Sequence, residues 1–280
     1  MANITTTETA AVGIDVVSRY VQMYLAKRAI LIPSVTDLTG DAVPGVKSVG
    51  VGRRSGFTAV PKVANAAAAS QAFTWTSDAL ALDQHKVVFA RLENIADVQA
   101  TIEQAPEIMA ASTQAIVDAL EAAVYTALAT TKTSAPDHRV KYATASTLST
   151  SDIIEARRLL SVQNVPFDNR FLAIHPNQEA DLLKLEDFLD VSKYGSNVAL
   201  LNGEIGRLLG FTVLVSNNVT ADTSLAYHRS HVAFARQQIT TFTSMPNLEY
   251  VATDFLMQAL YGVKTLDAGV RGVLFNDTGA

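Results

Sequence analysis

Residues 57–75 read Phe57-Thr58-Ala59-Val60-Pro61-Lys62-Val63-Ala64-Asn65-Ala66-Ala67-Ala68-Ala69-Ser70-Gln71-Ala72-Phe73-Thr74-Trp75, and this stretch decides the fold. It sits within a longer segment, from Ile32 to about Ala81, where short β-like runs (Val46 to Val51, Phe73 to Thr76) alternate with Gly, Pro and Ser. Large apolar side chains are too sparse here to build a core. A structureless loop longer than ~15 residues is uncommon inside a compact domain. Two readings survive: a disordered linker, or an extended hairpin that lies on another subunit. Phe57, Phe73 and Trp75 favour the hairpin, because disordered segments are poor in aromatic residues.

Working outward, both flanks carry regular structure. Upstream, residues 12–28 read as an amphipathic helix with Ile14, Val17, Val21, Tyr24 and Leu25 on one face. Downstream, Lys86-Val87-Val88-Phe89-Ala90-Arg91-Leu92 reads as a strand. Then Ile116, Val117, Leu120, Ala123, Val124, Ala127 and Leu128 recur at helical spacing and form one apolar stripe. With Pro106 in the first turn, where its missing N–H costs nothing, the pattern predicts a helix from about Glu107 to Thr130. At 1.5 Å per residue it spans roughly 36 Å and acts as a spine.

Residues 148–235 read as a compact α/β unit. Asp152 and Glu155 suggest a cap opening a helix to Ser161. Phe171 to Ile174 is a short buried strand, and Pro176 opens a helix through Leu182, Leu183 and Leu185. A helical turn is expected from Glu204 to Leu209, stopped by Gly210, followed by a strand over Phe211 to Val215. Three closing strands are expected at Leu248 to Thr253, Gln258 to Lys264 and Gly269 to Leu274.

Composition narrows the function. Hydrophobic residues make up 49% and charged residues 18% of 280 residues, fewer charges than the roughly 25% of an ordinary soluble domain. No run approaches the ~18 apolar residues of a membrane span. The start, Met1 to Glu8, lacks the basic and apolar blocks of a signal peptide. The surplus apolar surface is therefore expected to be buried in the chain or in its neighbours, with no membrane involved. With no cysteine, disulfides, thiolate metal sites and cysteine nucleophiles are excluded. The net charge is −5, with Lys and Arg scattered, which argues against tight direct nucleic-acid binding but not against enclosing nucleic acid.

Motifs for catalysis are thin. His228 and His231 form an H-x-x-H pair, but zinc-protease helices use a wider spacing with an intervening Glu, and no third ligand is evident. Glu186, Asp187 and Asp190 lack the neighbours of an acid–base pair and read as a solvated acidic face. Gly203, Gly206 and Gly210 lack the Gly-Lys-Ser/Thr ending of a phosphate loop. His175, before Pro176, suits a local cap at a strand-to-helix junction. The expectation is a chain that is not an enzyme, with no catalytic residue, cofactor or metal.

Three stretches carry a family resemblance. Leu82-Asp83-Gln84-His85-Lys86-Val87-Val88-Phe89-Ala90-Arg91-Leu92 resembles the strand that closes the extended loop in many phage capsid proteins. Ala173-Ile174-His175-Pro176 through Leu182-Leu183, Asn202-Gly203-Glu204-Ile205-Gly206-Arg207-Leu208-Leu209-Gly210-Phe211 and Ser216-Asn217-Asn218 resemble their central region. Ala259-Leu260-Tyr261-Gly262-Val263-Lys264 with Ala268-Gly269-Val270 is similar to their closing strand. The order along the chain is that of the major capsid proteins of tailed bacteriophages, with the Hong Kong 97-type fold.

The resemblance implies an α+β architecture: an N-terminal arm (1–41), an extended β-hairpin loop (42–81), a peripheral domain with the spine helix (82–147 and 236–280) and a central axial α/β domain (148–235). It further implies self-assembly into hexamers and pentamers, closing into an icosahedral shell around packaged double-stranded DNA that is enclosed without sequence-specific binding. A separate scaffolding protein and a portal are the expected partners, and the sequence leaves open whether a decoration protein binds outside. The virion is the implied location, after synthesis in the bacterial host cytoplasm. The crosslinking between Lys and Asn known in the family's type member is not carried over, since no motif fixes a role for Lys47, Lys62 or Asn276.

Within this frame, residues 42–81 are expected to lie across the peripheral domain of an adjacent subunit. Trp75 and Phe73 would be buried there, with Phe57 nearby, and Arg53 and Arg54 would face acidic groups such as Glu103 or Glu107. A solvated surface charge is the competing reading for each arginine, because exposed ion pairs add only ~0–1 kcal/mol. The alternative functions are an encapsulin-type nanocompartment shell and, from another class, a metal-dependent hydrolase using His228 and His231.

Overall fold

The computed structural model describes residues 29–93, 104–184 and 206–277, without the side chains of 104–107 and 238–242. The predicted helix at 12–28, the acidic run Glu186 to Asp190 and the glycine at 203 lie outside the described residues.

In chain order the first strands are β1 (Thr36–Asp37), β2 (Ser48–Arg54), β3 (Trp75–Ala81) and β4 (Gln84–Glu93). The spine helix α1 (Gln104–Leu128) and β5 (Arg139–Lys141) follow. Next come α2 (Thr150–Val162), β6 (Arg170–Ile174), α3 (Pro176–Lys184), β7 (Arg207–Leu208), β8 (Phe211–Val215) and β9 (Ser224–His228). The chain closes with β10 (Val232–Asn247), β11 (Ala252–Thr265) and β12 (Gly272–Asn276). One sheet is ordered β1-β10-β11-β4, a second β5-β12-β9-β6-β8-β7, and β2 with β3 forms a separate two-stranded ribbon.

The spine helix forms because its apolar residues return every fourth position. Ile116, Leu120, Val124 and Leu128 are all buried in one row, and such a row seats a helix in the groove of a neighbouring element. This row packs against Ala173, Leu225 and Tyr227 of the six-stranded sheet and against Phe234, Met257, Ala259 and Tyr261 of the four-stranded one. One helix thus holds two sheets together. Glu121, on the same helix, is fully buried. Its carboxylate accepts hydrogen bonds from the Leu31 amide (3.0 and 3.1 Å) and the Ile32 amide (2.9 Å), fixing where the chain enters the body.

The second core lies on the other face of the six-stranded sheet, where Ile153, Ala156, Leu159 and Leu160 of α2 meet Leu172, Ile174, Phe211 and Phe275. The cap of α2 differs from the sequence reading. Ser149 is the N-cap and Asp152 completes a capping box with it, so the pair sits three residues earlier than Asp152 and Glu155. His175 does cap α3: its Nδ1 accepts from the Asn177 amide at 3.2 Å.

The turn before β8 also differs. Arg207 and Leu208 are a strand paired with Phe211 and Thr212, and Leu209 and Gly210 have φ of 48° and 91°. Two positive φ values make the tight turn that matches strand twist in a hairpin, and glycine adopts one at no steric cost. Gly210 is therefore a hairpin turn residue and not a helix cap.

At the C-terminal end, the segment expected as a strand from Leu248 is mostly a turn, and β11 is one long strand. The sixteen-residue β10 was not foreseen at all. Val232 and Phe234 face the helix core, while Ala233 and Ala235 face the root of the ribbon. Burial on both faces erases the alternation that signals a strand. β5 and β12 pair within the six-stranded sheet, so this sheet draws strands from outside 148–235.

Candidate assembly interface

β2 and β3 pair antiparallel from Ser48↔Ala81 to Arg54↔Trp75. Beyond the ladder the two arms stay together: the Ser55 amide donates to the Thr74 carbonyl at 3.0 Å, and the Thr58 amide to Gln71 Oε1 at 3.0 Å. The root is anchored. Leu80 is fully buried with Val49, Leu82, Ala233, Ala235 and Leu266. β11 passes so close that a Cβ at Gly262 would overlap the Ala81 carbonyl. Gln237, the extra residue of a bulge in β10, donates to the carbonyls of Val43 and Val46 at 2.8 and 3.0 Å.

Past the root, support ends. Every residue from Gly52 to Ser77 is exposed. Phe57, Phe73 and Trp75 stack edge to face, with centroids 5.8 and 6.1 Å apart, and Trp75 is 67% exposed. Between Asp41 and Asp78 the sequence has Lys47, Arg53, Arg54 and Lys62 but no acidic residue.

The structure brings the three aromatic residues together and separates the two arginines. Arg53 forms an ion pair with Asp267 of the same chain. Asp267 also lies 3.6 Å from Arg271, and its amide donates to Asp78 at 3.0 Å. Arg54 is exposed. Glu107 falls in the first turn of α1, and Glu103 lies outside the described residues. The cluster of Asp78, Asp267 and Arg271 escaped sequence reading because its members are scattered along the chain and match no local pattern.

The histidine pair does not converge. His228 Nδ1 lies 2.7 Å from Ser230 Oγ, whereas His231 is buried with Nε2 3.1 Å from the Leu128 carbonyl. Burial holds the His231 imidazole down to about 4, with Arg271 and His138 adding positive potential. A group this deep and this far from ionising near neutrality serves packing. No group of three or more His, Asp or Glu placed to hold a metal is found among the described residues.

A family model described as phage capsid protein matches residues 86–272, about two thirds of the chain. No protein in a curated sequence comparison matches. Among solved structures, one from Mycobacterium phage Che8 is 20% identical, with a TM-score of 0.78 over 95% of this chain and 98% of that one. The capsid structure of the cyanophage P-SCSP1u is 14% identical, with a TM-score of 0.80 over 99% and 96%. The capsid of a native GTA particle is 12% identical, with a TM-score of 0.72 over 98% and 99%. These likenesses give the fold, a mixed α/β architecture shared with capsid structures, and they favour neither the nanocompartment nor the hydrolase reading. The chain therefore belongs to the phage capsid protein family, whose members are structural proteins and not enzymes.

Proposed function

We propose that the chain is the repeating subunit of a tailed-phage head, assembling as hexamers and pentamers into an icosahedral shell that encloses double-stranded DNA. The observation that carries this reading is the ribbon of β2 and β3 with its loop. It exposes Phe57, Phe73 and Trp75 on an arm whose root is anchored in the body. Aromatic anchors of this kind dominate interface energies once covered. The charge supports a second copy as the cover. Residues 42–77 carry four cations and no acid while the whole chain is −5, so the rest of each copy is net acidic.

In this reading residues 1–41 are the arm, 42–81 the extended loop, 82–147 with 236–280 the peripheral domain and 148–235 the axial domain, the strands β5 and β12 joining the axial sheet. A separate scaffolding protein during assembly and a portal in the finished shell are the further partners of this reading. Electron microscopy of the purified protein tests the proposal. Closed particles or capsomer rings support it, and a monodisperse monomer at high concentration defeats it. Particle contents separate the readings: packaged DNA and a portal vertex support the phage head, whereas protein cargo in a portal-free shell would mean a nanocompartment.

A further inference from the structure

Two buried imidazoles grip the turn that holds the ribbon root. His138, just before β5, and His231, just before β10, are both fully buried. His138 Nδ1 lies 2.8 Å from the Gly272 carbonyl, and His231 Nε2 lies 3.1 Å from the Leu128 carbonyl. A carbonyl only accepts, so these two nitrogens carry the protons of neutral rings. The second nitrogens, His138 Nε2 and His231 Nδ1, are buried lone pairs with no donor among the described residues. A proton added to either creates a buried charge with nothing to pair it.

The rings leave no slack around Gly272. A Cβ there would lie 2.5 Å from His231 Nε2, so ring and backbone are in contact and one cannot shift without the other. Gly272 ends the turn between β11 and β12. The Leu266 amide donates to the His231 carbonyl at 2.8 Å, and the Lys132 amide to the Gly269 carbonyl at 3.2 Å. The same turn carries the counter-ion of the ribbon. Asp267 pairs with Arg53 of β2, lies 3.6 Å from Arg271, and donates its amide to Asp78 of β3 at 3.0 Å. Histidines and ribbon therefore hold opposite ends of residues 267–272.

We propose that residues 267–272 are an acid-sensitive latch: a proton on His231 or His138 displaces the turn, withdraws Asp267 from Arg53 and frees the root of the ribbon. The neighbouring charges set the direction. His231 faces Arg271 and His138, both basic, so a new positive charge is repelled as well as buried. His138 faces Lys132 and Asp137, and Arg271 feels Arg53 and Asp78. At neutrality burial keeps both rings uncharged, with His231 pushed down to about 4, and the latch is shut. A ring that has left its slot takes up a proton near the ordinary 6.5. Opening therefore grows more frequent as the pH falls from 6.5 toward 4. A two-stranded ribbon is marginally stable by itself, so loss of its root loosens the ladder of β2 and β3.

The dissociated full-length chain tests the latch without any assembly. Only its use, control of the contact arm, rests on the proposed function. Trp75 is the sole tryptophan and reports the ribbon by fluorescence anisotropy, while hydrogen exchange compares the β2–β3 ladder with α1. From pH 7 to 4, the anisotropy should fall and ladder protection should drop about tenfold or more, with α1 still protected. His231→Gln and, separately, His138→Gln should each reduce that fall. Asp267→Asn should give the loose ribbon already at pH 7. A ribbon whose mobility ignores pH overturns the proposal. So does an undiminished fall in both histidine variants, which would assign the effect to carboxylates. Loss of protection in α1 together with the ribbon would mean global unfolding and would also overturn it.

Discussion

Arg53 on β2 is paired with Asp267, in the turn after β11, within one chain. The pair ties the cationic ribbon to the body at the last point before its side chains become wholly exposed. It also divides two neighbouring arginines into different roles, one internal and one outward.

Arg53→Glu is therefore expected to lower the stability of the dissociated chain by up to about 1 kcal/mol, the range of a half-exposed ion pair. The reversed pair, Arg53→Asp with Asp267→Arg, should recover most of it. Arg54→Glu should leave the melting temperature of the free chain unchanged yet slow assembly, an effect that fades as salt shortens the reach of charge. Urea titration and light scattering read the two separately. Equal effects of both substitutions on the free chain would remove the distinction.

Trp75→Ala should cost the isolated chain little, since the ring is mostly exposed. In assembled particles the same change is expected to remove about 2 kcal/mol or more per contact, as truncation of a buried aromatic anchor does. Thermal dissociation of particles, compared with melting of the free chain, measures the difference. Particles of undiminished heat resistance would show that Trp75 anchors nothing.

His231 makes stability depend on pH. Its imidazole is held at about 4 from an ordinary 6.5, so between those values the unfolded chain binds the proton and the folded one does not. Stability is then complete above pH 6.5 and falls as the pH drops toward 4, by about 3 kcal/mol in all. His138, also lowered by burial, adds to the same trend. Denaturation midpoints across pH 4 to 7 should show this slope, and His231→Gln should flatten it.

Ser149→Ala removes the N-cap of α2 and is expected to cost about 1 kcal/mol. Asp152→Ala should cost more, because its buried carboxylate accepts from the Ser149 amide at 2.9 Å and the Ala143 amide at 3.2 Å. Urea unfolding of the two variants gives the order. A neutral Asp152→Ala would mean that the box contributes nothing.

What could be read beforehand followed from local pattern. The stripe from Ile116 to Leu128 is spaced for a helix, and the lack of core-forming residues before Ala81 betrayed the ribbon. β10 was hidden because Val232 to Ala235 are buried on both sides and Gln237 interrupts the pleat as a bulge. Leu209 and Gly210 looked like a helix end because a tight hairpin uses the same left-handed glycine. Of the residues proposed for the interface, Phe57, Phe73 and Trp75 stand out as aromatics in a coreless segment. The partner of Arg53 and the closeness of His138 and His231 to Gly272 depend on three-dimensional proximity, which no local spacing encodes.

The burial of α1 between the two sheets has a mechanical consequence. Its row from Ile116 to Leu128 is a beam about 20 Å long, shared by both halves, so a load placed on either half is passed to the other without a seam to open. The ribbon owns no part of that beam. Under stress it bends first, and the body behind it stays stiff.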